Sequence, residues 1–139
     1  MTRPSLRLRL LVHATRAVLR PRSRHEPDPQ ASRALVNRLV LPPLPGIRVR
    51  DARVGGVPGE WSEAAPSPRV LLYLHGGAFV VCSPRTHRPV TGAFARRGFR
   101  VFAPDYRLAP EHPFPAALDD AAAAYRGLIK AGLPPGRIV

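Results

Sequence analysis

The chain has 139 residues, about one domain, and 45% of them are apolar, enough for a core, so most of it is expected to be globular rather than disordered. Its single cysteine, Cys82, excludes an internal disulfide and a cysteine-rich zinc site; it fits a reducing compartment, so a cytoplasmic location is expected. With 22 basic against 9 acidic residues the formal charge is +13, which raises nucleic-acid or anionic-membrane binding, yet Lys130 is the only lysine and the arginines run along the whole chain, so no nucleic-acid partner is expected.

Residues 1–24 place Leu6, Leu10, Leu11, Ala14, Val18 and Leu19 near helical spacing, with arginines between them, and predict a helix ending at Pro21. A basic amphipathic helix can lie on a membrane surface, but packing on its own domain is the expectation favoured here. Arg7, Arg9 and Arg16 interrupt any signal-peptide core. No apolar run approaches the roughly 18 residues of a membrane span. The polar, proline-punctuated stretch 25–34 reads as a linker, and 34–46 as a short helical or irregular piece ending at Pro42-Pro43.

From Ile47 the pattern changes to alternation. IRVRDARV and VPGEWSE predict two half-exposed strands, and PSPRVLLYLH a third, continuously apolar strand buried on both faces. Ser83-Pro84 opens a helix, with Thr86 as an alternative cap, and Gly98 ends it. RVFAP is a fourth, buried strand. DYRLAPEHPFP is an extended connection, and Pro115 opens a second helix that carries Asp119 and Asp120 near its N-terminus and Lys130 near its other end. Gly132 stops that helix, and Arg137 to Val139 begin a fifth strand. Buried strands alternating with helices predict an α/β sheet whose later strands are parallel.

His75-Gly76-Gly77-Ala78 falls at the C-terminal end of the third strand, the edge where open α/β sheets bind ligands. Consecutive small residues leave backbone N–H groups uncovered, as an oxyanion requires. On these residues alone an ordinary strand-to-helix turn, with glycines for positive φ, remains equally open.

Two stretches together resolve this. HGGAF at 75–79 and DYRLAPEHPFPAALDD at 105–120 resemble the hormone-sensitive-lipase-like group of α/β-hydrolase esterases, and the likeness extends over about residues 47–139. The resemblance implies the N-terminal part of an α/β-hydrolase fold, a mostly parallel sheet flanked by helices, with residues 1–45 as a lid-like segment and linker and 46–139 as a partial hydrolase domain. It implies a carboxylic-ester hydrolase acting by serine acyl transfer on a small ester, with no metal or organic cofactor. Position by position, it makes the backbone of Gly77 and Ala78 the oxyanion donors, with Gly76 shaping the turn, His75 supporting the loop and Phe79 lining the substrate pocket.

Other candidates carry less. Asp105 does not match the position of the family's acid, and Asp105, Tyr106, Arg107 and Glu111 are expected to hold the proline-rich connection by polar contacts. Cys82 has no evident base partner and is expected to be small and buried. His13, His25, His87 and His112 show no metal-ligand spacing and are expected to be solvated. Serines 5, 23, 32, 62, 67 and 83 all lack the Gly-x-Ser-x-Gly context of a hydrolase nucleophile. The expectation is therefore a chain that carries the oxyanion-hole half, lacks nucleophile, acid and base, is inactive alone, and pairs with a missing C-terminal portion. The alternative is a non-catalytic remnant or interaction module. With the fifth strand missing, one edge of the apolar third strand would be open, an aggregation hazard.

Overall fold

The computed structural model describes residues 10, 13, 28–38 and 40–139. The helix expected over 1–24 therefore lies outside the described residues, apart from Leu10 and His13, both helical and exposed. His25 lies outside them as well.

Helix α1 (Pro29–Asn37) occupies much of the stretch expected to be a linker, which is a correction. Asp28 and Pro29 punctuate the sequence because they start a helix: the Asp28 carboxylate accepts from the Gln30 N–H at 3.0 Å, and proline stands at the first helical position.

Strand β1 (Arg48–Val54) turns through Gly55-Gly56 into β2 (Val57–Glu63), with Val54 opposite Val57. Both glycines hold positive φ, +60° and +83°, as a two-residue hairpin of this twist demands. Strand β3 (Val70–Leu72) follows, and then a 3₁₀ turn, Pro84–His87, runs directly into α2 (Arg88–Ala95). Strand β4 (Arg100–Pro104), helix α3 (Ala116–Lys130) and a 3₁₀ turn, Pro135–Arg137, complete the order. Gly98 and Gly132, past the ends of α2 and α3, hold φ of +83° and +88°, the C-terminal stops expected of them.

The sheet is mixed, in the order β1-β2-β4-β3. β1 with β2 and β2 with β4 are antiparallel, while β3 and β4 are parallel, as expected of the later strands. Ile138 continues the parallel pattern beside Val70: the Val139 N–H donates to Val70 O and the Leu72 N–H to Val139 O, both at 2.9 Å. Each face of the sheet carries its own core. On the α3 side Val57, Trp61, Val70 and Phe102 meet Ala124 and Leu128; on the α2 side Ile47 and Val101 meet Ala95 and Phe94.

Two strand expectations are corrected. β2 is buried rather than half-exposed, because β1 and β4 flank it and both faces are covered: Trp61 packs on Phe102 at 5.2 Å, and Glu60 and Ser62 bond to Arg88 and Thr91 of α2. β3 is shorter and less buried than expected. Only Val70 is fully enclosed, and Leu74 is 50% exposed, since Ile138 and Val139 are its only strand partners on that side among the described residues.

Candidate active site

The two motif segments leave the sheet side by side because β3 and β4 are parallel neighbours. His75 follows β3, whose pairing extends to a bond from the Tyr73 N–H to Phe102 O at 2.8 Å, and Asp105 follows Pro104 at the end of β4. The pair is then tied across. The Tyr106 hydroxyl donates to His75 O, and the two rings stack at 4.2 Å with 10° between planes.

His75 is 4% exposed. Its Nδ1 lies 2.9 Å from Gly76 O, which assigns the proton of the neutral ring to Nδ1, donating to that carbonyl. Nε2 is then a buried acceptor with no partner among the described residues. Burial lowers the histidine pKa below its ordinary value; the Gly76 carbonyl opposes this, and the neighbouring His87 adds to it.

The loop after His75 is bent by consecutive residues at positive φ: Gly77 at +130°, Ala78 at +54° and Phe79 at +58°. Gly76 is not among them, and a Cβ built there meets nothing within 4 Å. At Gly77 the same Cβ would lie 2.1 Å from Val81 O, so both conformation and space require glycine there. The turn closes as Val80 and Val81 donate their N–H groups to Gly77 O, each at 3.0 Å. The N–H groups of Gly76, Gly77 and Ala78 donate to no acceptor among the described residues.

Phe79 is 64% exposed and, with Leu74, Tyr106, Phe114 and Leu118, lines an apolar groove of about 510 Å³. Ser83 does stand as the cap residue ahead of Pro84, as expected, but its own side chain makes no cap bond; instead Thr86 Oγ1 accepts from the Ser83 N–H at 3.1 Å and donates to Ser83 O at 2.8 Å. Cys82 is half-buried at φ +76°, more open than the buried residue expected, because it sits on the outer limb of the bent loop. His13 and His112 are exposed, as expected, but His87 is half-buried against the rings of Tyr73 and His75 at 5.8 and 5.5 Å, which corrects its reading as solvated. Among the described residues no three His, Cys, Asp or Glu side chains gather as a metal site.

The second motif makes the polar contacts expected of it. Arg107 forms a two-pronged pair with Asp120 of α3, at 2.7 and 2.9 Å, and the Asp105 N–H donates to Pro58 O at 2.7 Å. Glu111 receives a fork from Arg33 of α1, both bonds at 2.7 Å. Sequence reasoning missed Arg33, which stands within the supposed linker; the one signal for it was the Asp28-Pro29 start of α1. No described helix is long and apolar enough to cross a membrane.

Comparison with known proteins bears on the fold and the family. A family model described as the α/β-hydrolase fold matches residues 71–139. An esterase from Acinetobacter venetianus is 35% identical over 128 residues, covering 89% of this chain and 42% of that protein. An acetyl-hydrolase from Streptomyces hygroscopicus is 48% identical over 87 residues, 61% of this chain and 29% of its own length. The crystal structure of an esterase from the bacterial hormone-sensitive lipase family matches with a TM-score of 0.77 at 38% identity, covering 99% of this chain and 47% of that one. The chain thus spans less than half the length of each of these relatives. Strand order, paired motifs and relatives agree that the chain belongs to the α/β-hydrolase family, in its hormone-sensitive-lipase-like group of esterases.

Proposed function

We propose that this chain supplies the oxyanion-binding side of a carboxylic-ester hydrolase acting by serine acyl transfer on small esters, with the serine, acid and base contributed by residues outside it. The observation that carries this reading is the bent loop at 76–79, whose N–H groups at Gly77 and Ala78 have no acceptor among the described residues. As a serine oxygen adds to the ester carbon, the carbonyl π pair moves onto the carbonyl oxygen, and these two donors meet the developing charge. When the pair returns, the C–O bond to the alcohol breaks, and the base that took the serine proton passes it to the leaving alkoxide. One such donor is worth on the order of 10²–10³ in rate. Gly76, which presents open space instead of a side chain, gives the substrate carbonyl its approach. The groove beside Phe79 takes the apolar part of the ester, and residues 1–45 supply part of a lid.

The test joins residues 1–139, so that α1 and Arg33 are retained, to the C-terminal remainder of the Acinetobacter venetianus esterase and follows release of a chromogenic alcohol from a short-chain ester. Hydrolysis is expected in the folded chimera and not in the 139-residue chain. A folded but inactive chimera overturns the reading and favours a non-catalytic module; turnover by the chain alone overturns the assignment of the serine to residues outside it.

A further inference from the structure

Helix α1 buries no residue, and its Leu35 is 63% exposed, so apolar packing does not hold it in place. Among the described residues, one side chain does. Arg33 Nε donates to Val80 O at 2.6 Å, Nη2 donates to Ala109 O, and Nη1 and Nη2 both reach the Glu111 carboxylate. The planar five-donor fork is thereby spent on both motif segments at once, a set of contacts that a single ammonium point could not make. Beyond the Tyr106–His75 contact nearer the sheet, the two segments are joined among the described residues by one further bond, from the Ala109 N–H to Phe79 O at 2.8 Å. Val80, in turn, is the residue whose N–H closes the turn on Gly77 O.

We infer that Arg33 is a positioning residue: carried on the segment ahead of the sheet, its guanidinium clamps the Gly77–Val81 turn to the Ala109–Glu111 segment and so sets the direction of the Gly77 and Ala78 N–H groups. This deepens the oxyanion reading and rests on it for its catalytic meaning. Docking of α1 and the shape of the loop are then one event. Release of the Arg33 fork frees the helix and lets the loop relax together.

The experiment is native-state amide exchange on the whole chain, read at Val80, Val81 and Ala109, whose N–H groups close the turn on Gly77 O and join it to the second segment. Arg33→Ala is expected to speed exchange at these three sites by about tenfold, the scale of losing charge-assisted bonds at a partly exposed site. The β2–β4 ladder should be unchanged. Arg33→Lys, which keeps the charge and loses the fork, should give an intermediate effect, and it serves as the reporter should the alanine variant not fold. Arg38→Ala, at the end of the same helix, should leave the three amides alone. Unchanged exchange at Val80, Val81 and Ala109 in both Arg33 variants overturns the inference, as does a uniform rise that includes β2 and β4. Because exchange is read without substrate, its failure leaves the oxyanion reading standing, and an inactive chimera leaves the exchange result standing.

Discussion

Tyr106 and His75 lie 31 positions apart, yet the tyrosine ring stacks on the imidazole at 4.2 Å while its hydroxyl donates to the His75 carbonyl. Both residues are buried, Tyr106 at 5% exposure and His75 at 4%, so neither oxygen has water as a substitute partner. The contact fixes the point where the chain leaves β3 and enters the glycine loop.

Tyr106→Phe keeps the ring and removes the donor, leaving the His75 carbonyl buried and unpaired. The expected cost is about 1–3 kcal/mol of folding stability. Urea unfolding followed by circular dichroism would measure it, and a midpoint equal to that of the parent would contradict the role assigned to the hydroxyl.

The lowered pKa of His75 has a pH consequence. In the unfolded chain a histidine titrates near its ordinary value of about 6.5. With the folded value below that, the unfolded state binds more protons in the interval between the two, so stability is complete above about pH 6.5 and falls as the pH drops toward the folded value. Thermal melts between about pH 7.5 and pH 5 should show the decline, and His75→Asn should flatten it. A slope unchanged in that variant would assign the decline to other groups.

The two glycines of the loop are expected to differ. A Cβ at Gly76 meets nothing, whereas at Gly77 it meets Val81 O at 2.1 Å with φ at +130°. Gly77→Ala must open the turn, and it also adds backbone strain of about 1–3 kcal/mol; Gly76→Ala has neither problem. Exchange at Val80 and Val81 should therefore rise sharply in the first variant and stay within about twofold of the parent in the second. In the hydrolytic chimera, Gly77→Ala should lower kcat.

Gly127 stands inside α3, where alanine normally adds up to about 1 kcal/mol of helix stability. Here the added Cβ would lie 2.3 Å from Gly55 N and 2.6 Å from its Cα, because α3 crosses directly over the β1–β2 hairpin turn. Both contacts are backbone and cannot swing aside. Gly127→Ala should therefore destabilise by about 1–3 kcal/mol, the usual range for overpacking. A stabilised variant by urea midpoint would show that the hairpin yields.

Much of the fold was legible because its signals are local. The helix start at Ser83-Pro84 and the stops at Gly98 and Gly132 act through their own φ angles and immediate neighbours, and the structure has them where the residues say. Burial was less legible. β2 alternates in sequence as a half-exposed strand would, but its neighbours are β1 and β4, and only the sheet order shows that both of its faces are covered. The 25–34 stretch failed in the opposite way: its prolines and polar residues read as a linker, because what holds α1 in place is Arg33 reaching partners 47, 76 and 78 positions away.

The sequence by itself determined the chemistry of the loop: which small residues follow His75, which motif accompanies them, and hence the family. Those properties belong to residue types and short spacings, which survive without coordinates. Only the tertiary structure decided that the bend falls on Gly77, Ala78 and Phe79, that His75 is sealed under Tyr106, and that an arginine from the segment ahead of the sheet clamps the loop. The last two depend on groups distant in sequence meeting at the shared end of β3 and β4, and two parallel neighbouring strands create that meeting.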